Sequence, residues 1–195
     1  MENKEFYAQY MKVFLEENSK VNLISKNDEK FLWEKHIFDS LAIDLAFKKY
    51  GKPERLLDIG TGGGFPAVPI ALTYPEINIT AVDSIAKKIR AVDTIRQKLG
   101  INNLTAVCTR VENLEGKFDI VTSRAVAALD KICEYALPKL KKDGYFIAYK
   151  SRKAPDEIQN AQQVLKKYKA KIIDIIEYQL PLEDTPIRNL IVIKV

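Results

Sequence analysis

The stretch RLLDIGTGGGFPA, residues 55–67, decides the fold of this 195-residue chain. A short apolar run, Arg55–Ile59, leads into four glycines and then into Pro66. Proline suits the first turn of a helix, where its missing N–H would have no partner, and glycines let a backbone turn sharply and approach a ligand closely. The stretch therefore predicts a strand, a ligand-binding loop and a helix, an arrangement typical of doubly wound α/β sheets.

Downstream of this stretch, short β-rich runs alternate with helical periods, which predicts a mostly parallel seven-stranded sheet with helices on both faces. Only a turn separates the last two runs, so we expect an antiparallel hairpin to finish the sheet. The predicted strands are Arg55–Ile59, Ile77–Asp83, Asn103–Cys108, Phe118–Ser123, Gly144–Lys150, Lys171–Leu180 and Arg188–Val195. The predicted helices are Pro66–Tyr74, Lys87–Leu99, Leu129–Leu140 and Pro155–Lys169.

The N-terminal part of the chain lacks this alternation. Aromatic and aliphatic residues recur there at three- and four-residue steps, as on the apolar face of a helix. We expect one helix before Val21 and a second, continuous helix from Asn27 to the break at Gly51. The chain is therefore predicted to be a single α/β domain, with a helical extension at residues 1–52 and a Rossmann-like core at residues 53–195.

Composition restricts the class of protein. The formal net charge of +5 favours a polyanionic partner, because clustered lysines and arginines displace counterions from phosphates. No apolar run approaches the roughly 18 residues of a membrane span, and the N-terminus has no secretory pattern, so we expect a cytoplasmic protein. With only Cys108, Cys133 and one histidine, we expect no metal site and no disulfide, and both cysteines in the core.

The glycine loop matches the patterns of two ligand classes. Gly62, Gly64 and Ala67 fit a relaxed dinucleotide fingerprint. Asp58, Gly60, Gly62 and Gly64 fit Asp-x-Gly-x-Gly-x-Gly, which is typical of class I S-adenosylmethionine methyltransferases. A carboxylate at Asp58 would be awkward beside a pyrophosphate, but it can pair, directly or through water, with the cationic amino-acid moiety of S-adenosylmethionine. The loop therefore favours that cofactor.

A second acid supports an adenosine ligand of either class. Asp83 lies nineteen residues after Gly64 and ends the second predicted strand. Its carboxylate is placed to accept hydrogen bonds from both ribose hydroxyls. Asp83 therefore predicts an adenosine cofactor without separating a methyltransferase from a dehydrogenase.

Strings along nearly the whole chain resemble the bacterial small-subunit ribosomal RNA (guanine-N7) methyltransferase family, also called glucose-inhibited division protein B. The most specific are the strings at residues 36–40 and 123–127. The full set is Asn22-Leu23-Ile24-Ser25, His36-Ile37-Phe38-Asp39-Ser40, the glycine loop, Val82-Asp83-Ser84 with Lys87-Lys88, Thr109-Arg110-Val111-Glu112, Ser123-Arg124-Ala125-Val126-Ala127 and Tyr149-Lys150.

This resemblance implies the class I methyltransferase fold, S-adenosylmethionine as cofactor, and methyl transfer to guanine N7 in ribosomal RNA of the small subunit. It also implies that His36 and Asp39 hold the N-terminal helices over the cofactor. The residues that the resemblance assigns to cofactor binding are Gly60, Phe65, Val111, Glu112 and Arg124.

Guanine N7 has an available lone pair and no proton to lose. Its methylation needs in-line placement against the methyl donor and exclusion of water, but no general base. This agrees with a sequence that has no Cys/His or Ser/His/Asp constellation. We expect Asn22, Ser123, Arg124 and Lys150 to position the guanine or the cofactor.

Two groups of cations near the predicted cofactor loop are candidates for phosphate contacts. One group lies on a helix and the other follows the fifth strand. They are Lys87, Lys88 and Arg90, and Lys150, Arg152 and Lys153. We expect a solvated face for the later group at residues 166–171. The expected partner is ribosomal RNA or the small ribosomal subunit, bound by a monomer.

Three alternatives remain open. A small-molecule methyltransferase on the same fold would have a closed apolar pocket instead of a basic rim. A non-catalytic RNA-binding protein could keep the loop as a relic, although the intact Asp58 and Asp83 argue against this. A nicotinamide dehydrogenase would need a second, catalytic domain, for which the chain is short.

Overall fold

The computed structural model describes residues 4–152 and 154–195. Its strands are β1 (Arg55–Ile59), β2 (Asn78–Asp83), β3 (Leu104–Cys108), β4 (Phe118–Arg124), β5 (Leu140–Ser151), β6 (Lys171–Gln179) and β7 (Ile187–Lys194). They form a single sheet in the order β3-β2-β1-β4-β5-β7-β6. The first five strands are parallel, and β7 is antiparallel to both β5 and β6. The predicted sheet, with its terminal hairpin, is confirmed.

The helices around the sheet are α1 (Ala8–Val21), α2 (Lys26–Glu29), α3 (Asp39–Leu41), α4 (Ile43–Tyr50), α5 (Ala67–Thr73), α6 (Ala86–Lys98), α7 (Leu129–Ala136), α8 (Ala154–Asn160) and α9 (Gln162–Lys167). Single 3-10 turns lie at Lys4–Tyr7, Val111–Asn113 and Leu137–Lys139. The helix predicted up to Lys169 is divided into α8 and α9. The helix predicted up to Leu140 ends at Ala136 and continues as a 3-10 turn.

The prediction of one continuous helix between Asn27 and Gly51 is wrong. That segment consists of α2, a π-helix at Leu32–Phe38, α3 and α4. Phe31, between α2 and the π-helix, has a φ of −111° and a ψ of 21°, outside the helical region. Within the π-helix, the carbonyl oxygen of Lys35 accepts a hydrogen bond from Arg124, which lies far away in the sequence. Wide helical turns of this kind are common where a helix borders a functional site.

Two apolar cores cover the two faces of the sheet. One contains Phe14 of α1, Phe47 of α4 and Val92 of α6, packed against strand residues such as Ile79. The other packs α7, α8 and α9 against the opposite face, with Phe146 at its centre. Because both faces are covered, the strands of the parallel part are apolar along most of their length.

The two cysteines differ in their environment. Cys133 is buried in the second core, as expected, but Cys108 is exposed, so the prediction of a core position for it is wrong. Cys108 is the last residue of β3, where the strand leaves the sheet and its side chain loses the cover of the neighbouring helices. Within residues 4–152 and 154–195, no helix is both long and apolar enough to cross a membrane.

Candidate cofactor site

A crevice of about 1320 Å³ opens at the carboxyl ends of the parallel strands. Its walls include the loops that follow β1, β2, β3 and β4, and on the other side residues of the N-terminal helices. The neighbours β1 and β4 are the point where the strand order reverses. Ligands of open α/β sheets bind at this position because the two loops diverge there and leave a space between them.

The glycine loop is fixed to β2 and to itself by its own N–H groups. Gly62 donates to Asp83 Oδ2 over 3.0 Å, and the two preceding N–H groups donate to the carbonyl oxygen of Val82 over 2.8 and 3.0 Å. The loop residues whose N–H groups donate within the protein are Gly60, Thr61, Gly62, Gly64 and Phe65. Pyrophosphate binding requires free N–H groups that point at the ligand. Most of the loop's N–H groups are therefore not available to a pyrophosphate, which disfavours the dinucleotide alternative.

Two loop positions require glycine. Gly60 has a φ of +68°, and a Cβ atom there would overlap Val126. Gly64 has a φ of +91°, and a Cβ atom there would lie 2.7 Å from Val68 Cγ2. The first glycine lets the chain turn beneath the loop after β4, and the second lets the loop pack closely on α5. Gly60 lines the crevice, whereas Gly64, also predicted to bind the cofactor, lies outside its wall.

Asp83 faces the crevice with its carboxylate already oriented. Oδ1 accepts a hydrogen bond from the N–H of Ile85 over 2.9 Å, and Oδ2 accepts the one from Gly62. A carboxylate has about four lone-pair positions, so two remain for hydroxyl donors. This geometry fits the predicted contact with a ribose.

Asp58, in contrast, lies beneath the loop and not in the crevice wall. Its exposed fraction is 0%, Oδ1 accepts a hydrogen bond from Thr122 over 3.0 Å, and Oδ2 has no partner among the described residues. Burial raises the pKa of Asp58 to about 7, although the nearby hydroxyls of Thr61 and Thr122, the charge of Arg124 and the N–H of Ala67 oppose the rise. Any pairing of Asp58 with a cationic ligand would therefore act through an intervening group such as water.

Arg124, the last residue of β4, is held by the N-terminal segment. Its Nη1 donates to Asp39 Oδ2 over 2.8 Å, and its Nη2 lies 3.2 Å from His36 Nδ1. The guanidinium carbon lies 5.1 Å from the ring centre of Phe65, within the range of a cation–π contact. His36 and Asp39 thus attach the N-terminal helices to the end of β4, and their role in holding these helices over the cofactor stays a prediction.

The imidazole of His36 is neutral. Burial, together with the charge of Arg124, lowers the pKa of His36 to about 4. Since a guanidinium can only donate hydrogen bonds, Nδ1 of His36 is the acceptor and the ring proton lies on Nε2. His36 therefore contributes no positive charge to the crevice at neutral pH.

The four predicted positioning residues do not come together. Arg124 and Lys150 line the crevice. Ser123 is buried within β4, and Asn22 is an exposed residue with a φ of 54° that ends α1, both outside the crevice wall. Lys150 donates to Glu157 Oε2 over 2.6 Å and to a carbonyl oxygen of the loop after β4.

The predicted phosphate contacts differ in their exposure. Lys88 lines the crevice, while Lys87, Arg90 and Arg152 are exposed. Lys150 is only 10% exposed in its ion pair with Glu157. Lys153 lies outside the described residues. Sequence reasoning did not single out two further cations in the crevice wall, Lys35 and Arg188. Neither lies in a motif, and only the folded arrangement of the π-helix and β7 brings them there.

Comparison with known proteins identifies the family. Residues 3–183 match the profile of a family described as rRNA small subunit methyltransferase G. The chain belongs to this family. Relatives named Ribosomal RNA small subunit methyltransferase G include one from Thermoanaerobacter sp. (strain X514), 37% identical over 97% of this chain and 81% of the relative. Another, from Lactobacillus johnsonii, is 38% identical over 98% of this chain and 82% of the relative.

Solved structures agree with the fold. A SAM-dependent methyltransferase from Aquifex aeolicus superposes with a TM-score of 0.64 at 17% identity, covering 91% of this chain and 98% of that one. The N-methyltransferase NodS from Bradyrhizobium japonicum, solved with S-adenosyl-L-homocysteine, gives a TM-score of 0.62 at 13% identity, covering 93% and 97%. Family membership confirms the predicted enzyme class, a methyltransferase that uses S-adenosylmethionine.

The family resemblance seen in the sequence implied a set of cofactor-binding residues, and all of them line the crevice. These residues are Gly60, Phe65, Val111, Glu112 and Arg124. The 3-10 turn after β3, Val111–Asn113, carries two of them. Their direct contact with the cofactor stays a prediction.

The glycine loop can be tested with a matched pair of substitutions. Gly60→Ala and Gly100→Ala both place alanine at positive φ, +68° and +64°, but only the first Cβ atom meets another residue. Both should lower the free energy of unfolding, by about 1–2 kcal/mol from backbone strain. Only Gly60→Ala should weaken binding of S-adenosylhomocysteine in calorimetry, by about tenfold or more. Equal affinities in the two variants would contradict the role of this loop.

Asp58 predicts an unusual pH dependence. Its pKa is about 7 in the folded protein, against 3.8 for the ordinary group, so the folded state holds the proton more tightly. Stability should therefore fall as pH rises from about 4 to 7 and stay level above that. The total loss in the free energy of unfolding is on the order of 4 kcal/mol, because the pKa differs by about three units between the folded and unfolded states. In denaturation experiments without cofactor, the free energy of unfolding of Asp58→Asn should increasingly exceed that of the wild type as the pH rises from about 4 to 7.

A control variant is Asp174→Asn. The hydrogen bond from Lys49 lowers the pKa of Asp174, so this carboxyl is ionised throughout pH 5–8. Its substitution should change stability by the same amount at pH 5 and pH 8. A pH-independent difference between Asp58→Asn and the wild type would show that Asp58 is ionised in the folded protein.

Proposed function

We propose that this chain transfers a methyl group from S-adenosylmethionine to N7 of a guanine in small-subunit ribosomal RNA, as a cytoplasmic monomer. The observation that carries the proposal is the size of the crevice beside the glycine loop. Its volume of about 1320 Å³ exceeds the roughly 300–1,000 Å³ of a pocket for one small ligand. It therefore has room for a nucleobase next to the cofactor.

In this proposal the cofactor lies along the carboxyl ends of β1 to β4 and supplies an electrophilic methyl group. Asp83 accepts the ribose hydroxyls, and the turn at Val111–Asn113 borders the adenine. Gly60 and Phe65 line the side of the crevice that faces the N-terminal helices. The residues thus fix the direction of the methyl group, which is what in-line transfer requires.

The target atom needs no proton removed. Guanine N7 attacks through its lone pair, and the protein has to hold the base in line and exclude water. Arg124 offers N–H groups to an acceptor in the crevice, since three of its five are used by Asp39, His36 and Lys35. Lys150 positions the loop after β4 through its carbonyl contact, and its ion pair with Glu157 argues against a phosphate contact.

The RNA backbone would lie along the rim of the crevice. Lys88 lines the crevice beside the exposed Lys87 and Arg90, all on α6, and Arg152 is exposed after β5. Cations at these places can follow phosphates while one base enters the crevice. A small-molecule methyltransferase would be expected to have a closed apolar pocket, and the open mouth with charged residues favours the RNA substrate.

The direct test is methyl transfer from labelled cofactor to purified small subunits and to naked ribosomal RNA, followed by nucleoside analysis. We expect the label in 7-methylguanosine. Label in a pyrimidine, or incorporation only into a small molecule, would refute the substrate assignment.

The rim can be tested by removing three positive charges at a time. The triple variant Lys87→Ala, Lys88→Ala, Arg90→Ala should bind RNA more weakly. The slope of log affinity against log salt concentration should also become shallower, by about 2. The control triple variant is Lys166→Ala, Lys169→Ala, Lys171→Ala, exposed residues that do not line the crevice. Equal loss of RNA affinity in both variants would mean that binding follows net charge alone.

A further inference from the structure

A chain of side-chain hydrogen bonds connects the C-terminal hairpin to the crevice wall. The hydroxyl of Tyr178, on β6, donates to Asp39 Oδ1 over 2.7 Å. The other oxygen of the same carboxylate, Oδ2, accepts from Arg124 Nη1 over 2.8 Å. Asp39 therefore lies between a tyrosine of the hairpin and the arginine that faces the crevice.

These groups are shielded from water. The side chains of Asp39 and Arg124 are 7% and 14% exposed, and burial raises the pKa of Tyr178, which remains a hydrogen-bond donor. Hydrogen bonds between such groups are stronger than on the surface, because the local dielectric constant is low. If the Tyr178 hydroxyl were absent, Asp39 Oδ1 would keep, among residues 4–152 and 154–195, only a distant contact of 3.9 Å with Arg188 Nε.

We propose that Tyr178 is a positioning residue for methyl transfer, acting through Asp39 to fix the guanidinium of Arg124 in the crevice wall. This inference rests on the proposed contact of Arg124 with the cofactor or the guanine. An arginine side chain loses rotamer entropy when it is immobilised, which costs free energy. Where the folded protein already holds the guanidinium, a ligand does not meet that cost on binding.

Through Tyr178, the C-terminal hairpin helps to fix a residue of the crevice wall. Without the Tyr178 hydroxyl, Asp39 would keep its bond to Arg124 but lose its bond to β6, and Arg124 would keep its contacts with Lys35 and His36. With one oxygen bonded from β6 and the other from β4, its carboxylate plane is fixed between two strands of the same sheet. Support of this kind around a contacting residue is what keeps a binding geometry precise.

The chain contains a matched control for this contact. Tyr50, at the end of α4, donates its hydroxyl to Asp174 Oδ2 of β6 over 2.8 Å. This is also a tyrosine–aspartate bond between the N-terminal segment and β6, but neither residue lines the crevice. Tyr178→Phe and Tyr50→Phe each remove one hydroxyl and keep the ring.

Calorimetry with S-adenosylhomocysteine and steady-state methyl transfer to small subunits separate the two variants. Tyr178→Phe should weaken ligand binding or lower kcat by roughly three- to tenfold, as expected for one hydrogen bond to a charged group. Tyr50→Phe should match the wild type in both measurements, and thermal melting should show a smaller loss of stability for it than for Tyr178→Phe, because Asp174 keeps its ion pair with Lys49. If Tyr178→Phe behaves like Tyr50→Phe in binding and in kcat, the inference is wrong.

A double-mutant cycle distinguishes this outcome from failure of the proposed function. In an Arg124→Ala background, Tyr178→Phe should have no further effect on binding or kcat. If Arg124→Ala does not fold, Arg124→Lys replaces it, and the effect of Tyr178→Phe should shrink there. If loss of the guanidinium changes neither binding nor kcat, the proposed role of Arg124 fails. If it changes them but Tyr178→Phe does not, only the role of Tyr178 fails.

Discussion

The ion pair between Arg124 and Asp39 joins the two parts of the molecule at the crevice. Arg124 ends the central strand β4, and Asp39 begins α3 in the N-terminal segment. Removing one partner of such a buried pair costs about 3–5 kcal/mol, because the other charge is left uncompensated. The N-terminal helices are therefore not a loose addition to a Rossmann-like core. They form one wall of the site, and the glycine loop, Phe65 and the end of β4 all face that wall.

The fold of the sheet could be predicted from the sequence because its signals are local. The parallel strands are apolar runs that end at polar or glycine-rich loops, and β1 has the predicted bounds, Arg55–Ile59. The break of the second N-terminal helix could not be predicted in this way. It lies beside the contact between Lys35 and Arg124, 89 residues apart in the chain. A periodic apolar pattern shows that a segment is helical, but it does not show where a distant side chain interrupts it.

The same distinction holds within the site. The glycine loop, Asp83 and the turn at Val111–Asn113 could be placed from motifs, because each follows directly on a strand whose end reaches the crevice. The environment of Asp58 could not, since its burial depends on how the loop folds over it. Nor does the sequence show that Lys150 is paired with Glu157, because a cation in a motif looks the same whether it is free or paired.

The pairing of charges separates the inside of the crevice from its rim. Arg124, Lys150 and Lys35, in the wall, are each matched by a carboxylate within 3 Å. Arg188 lies 3.9 Å from Asp39, and the adjacent His36 is neutral. Methylation at N7 leaves a positive charge on the guanine. Uncompensated cations in the wall would oppose that charge by several kcal/mol at low dielectric, whereas matched pairs oppose it little. The exposed cations of α6 lie at the rim, where they can attract phosphates at a distance from the reacting atom. This separation suits an enzyme that binds a polyanion and forms a cationic product.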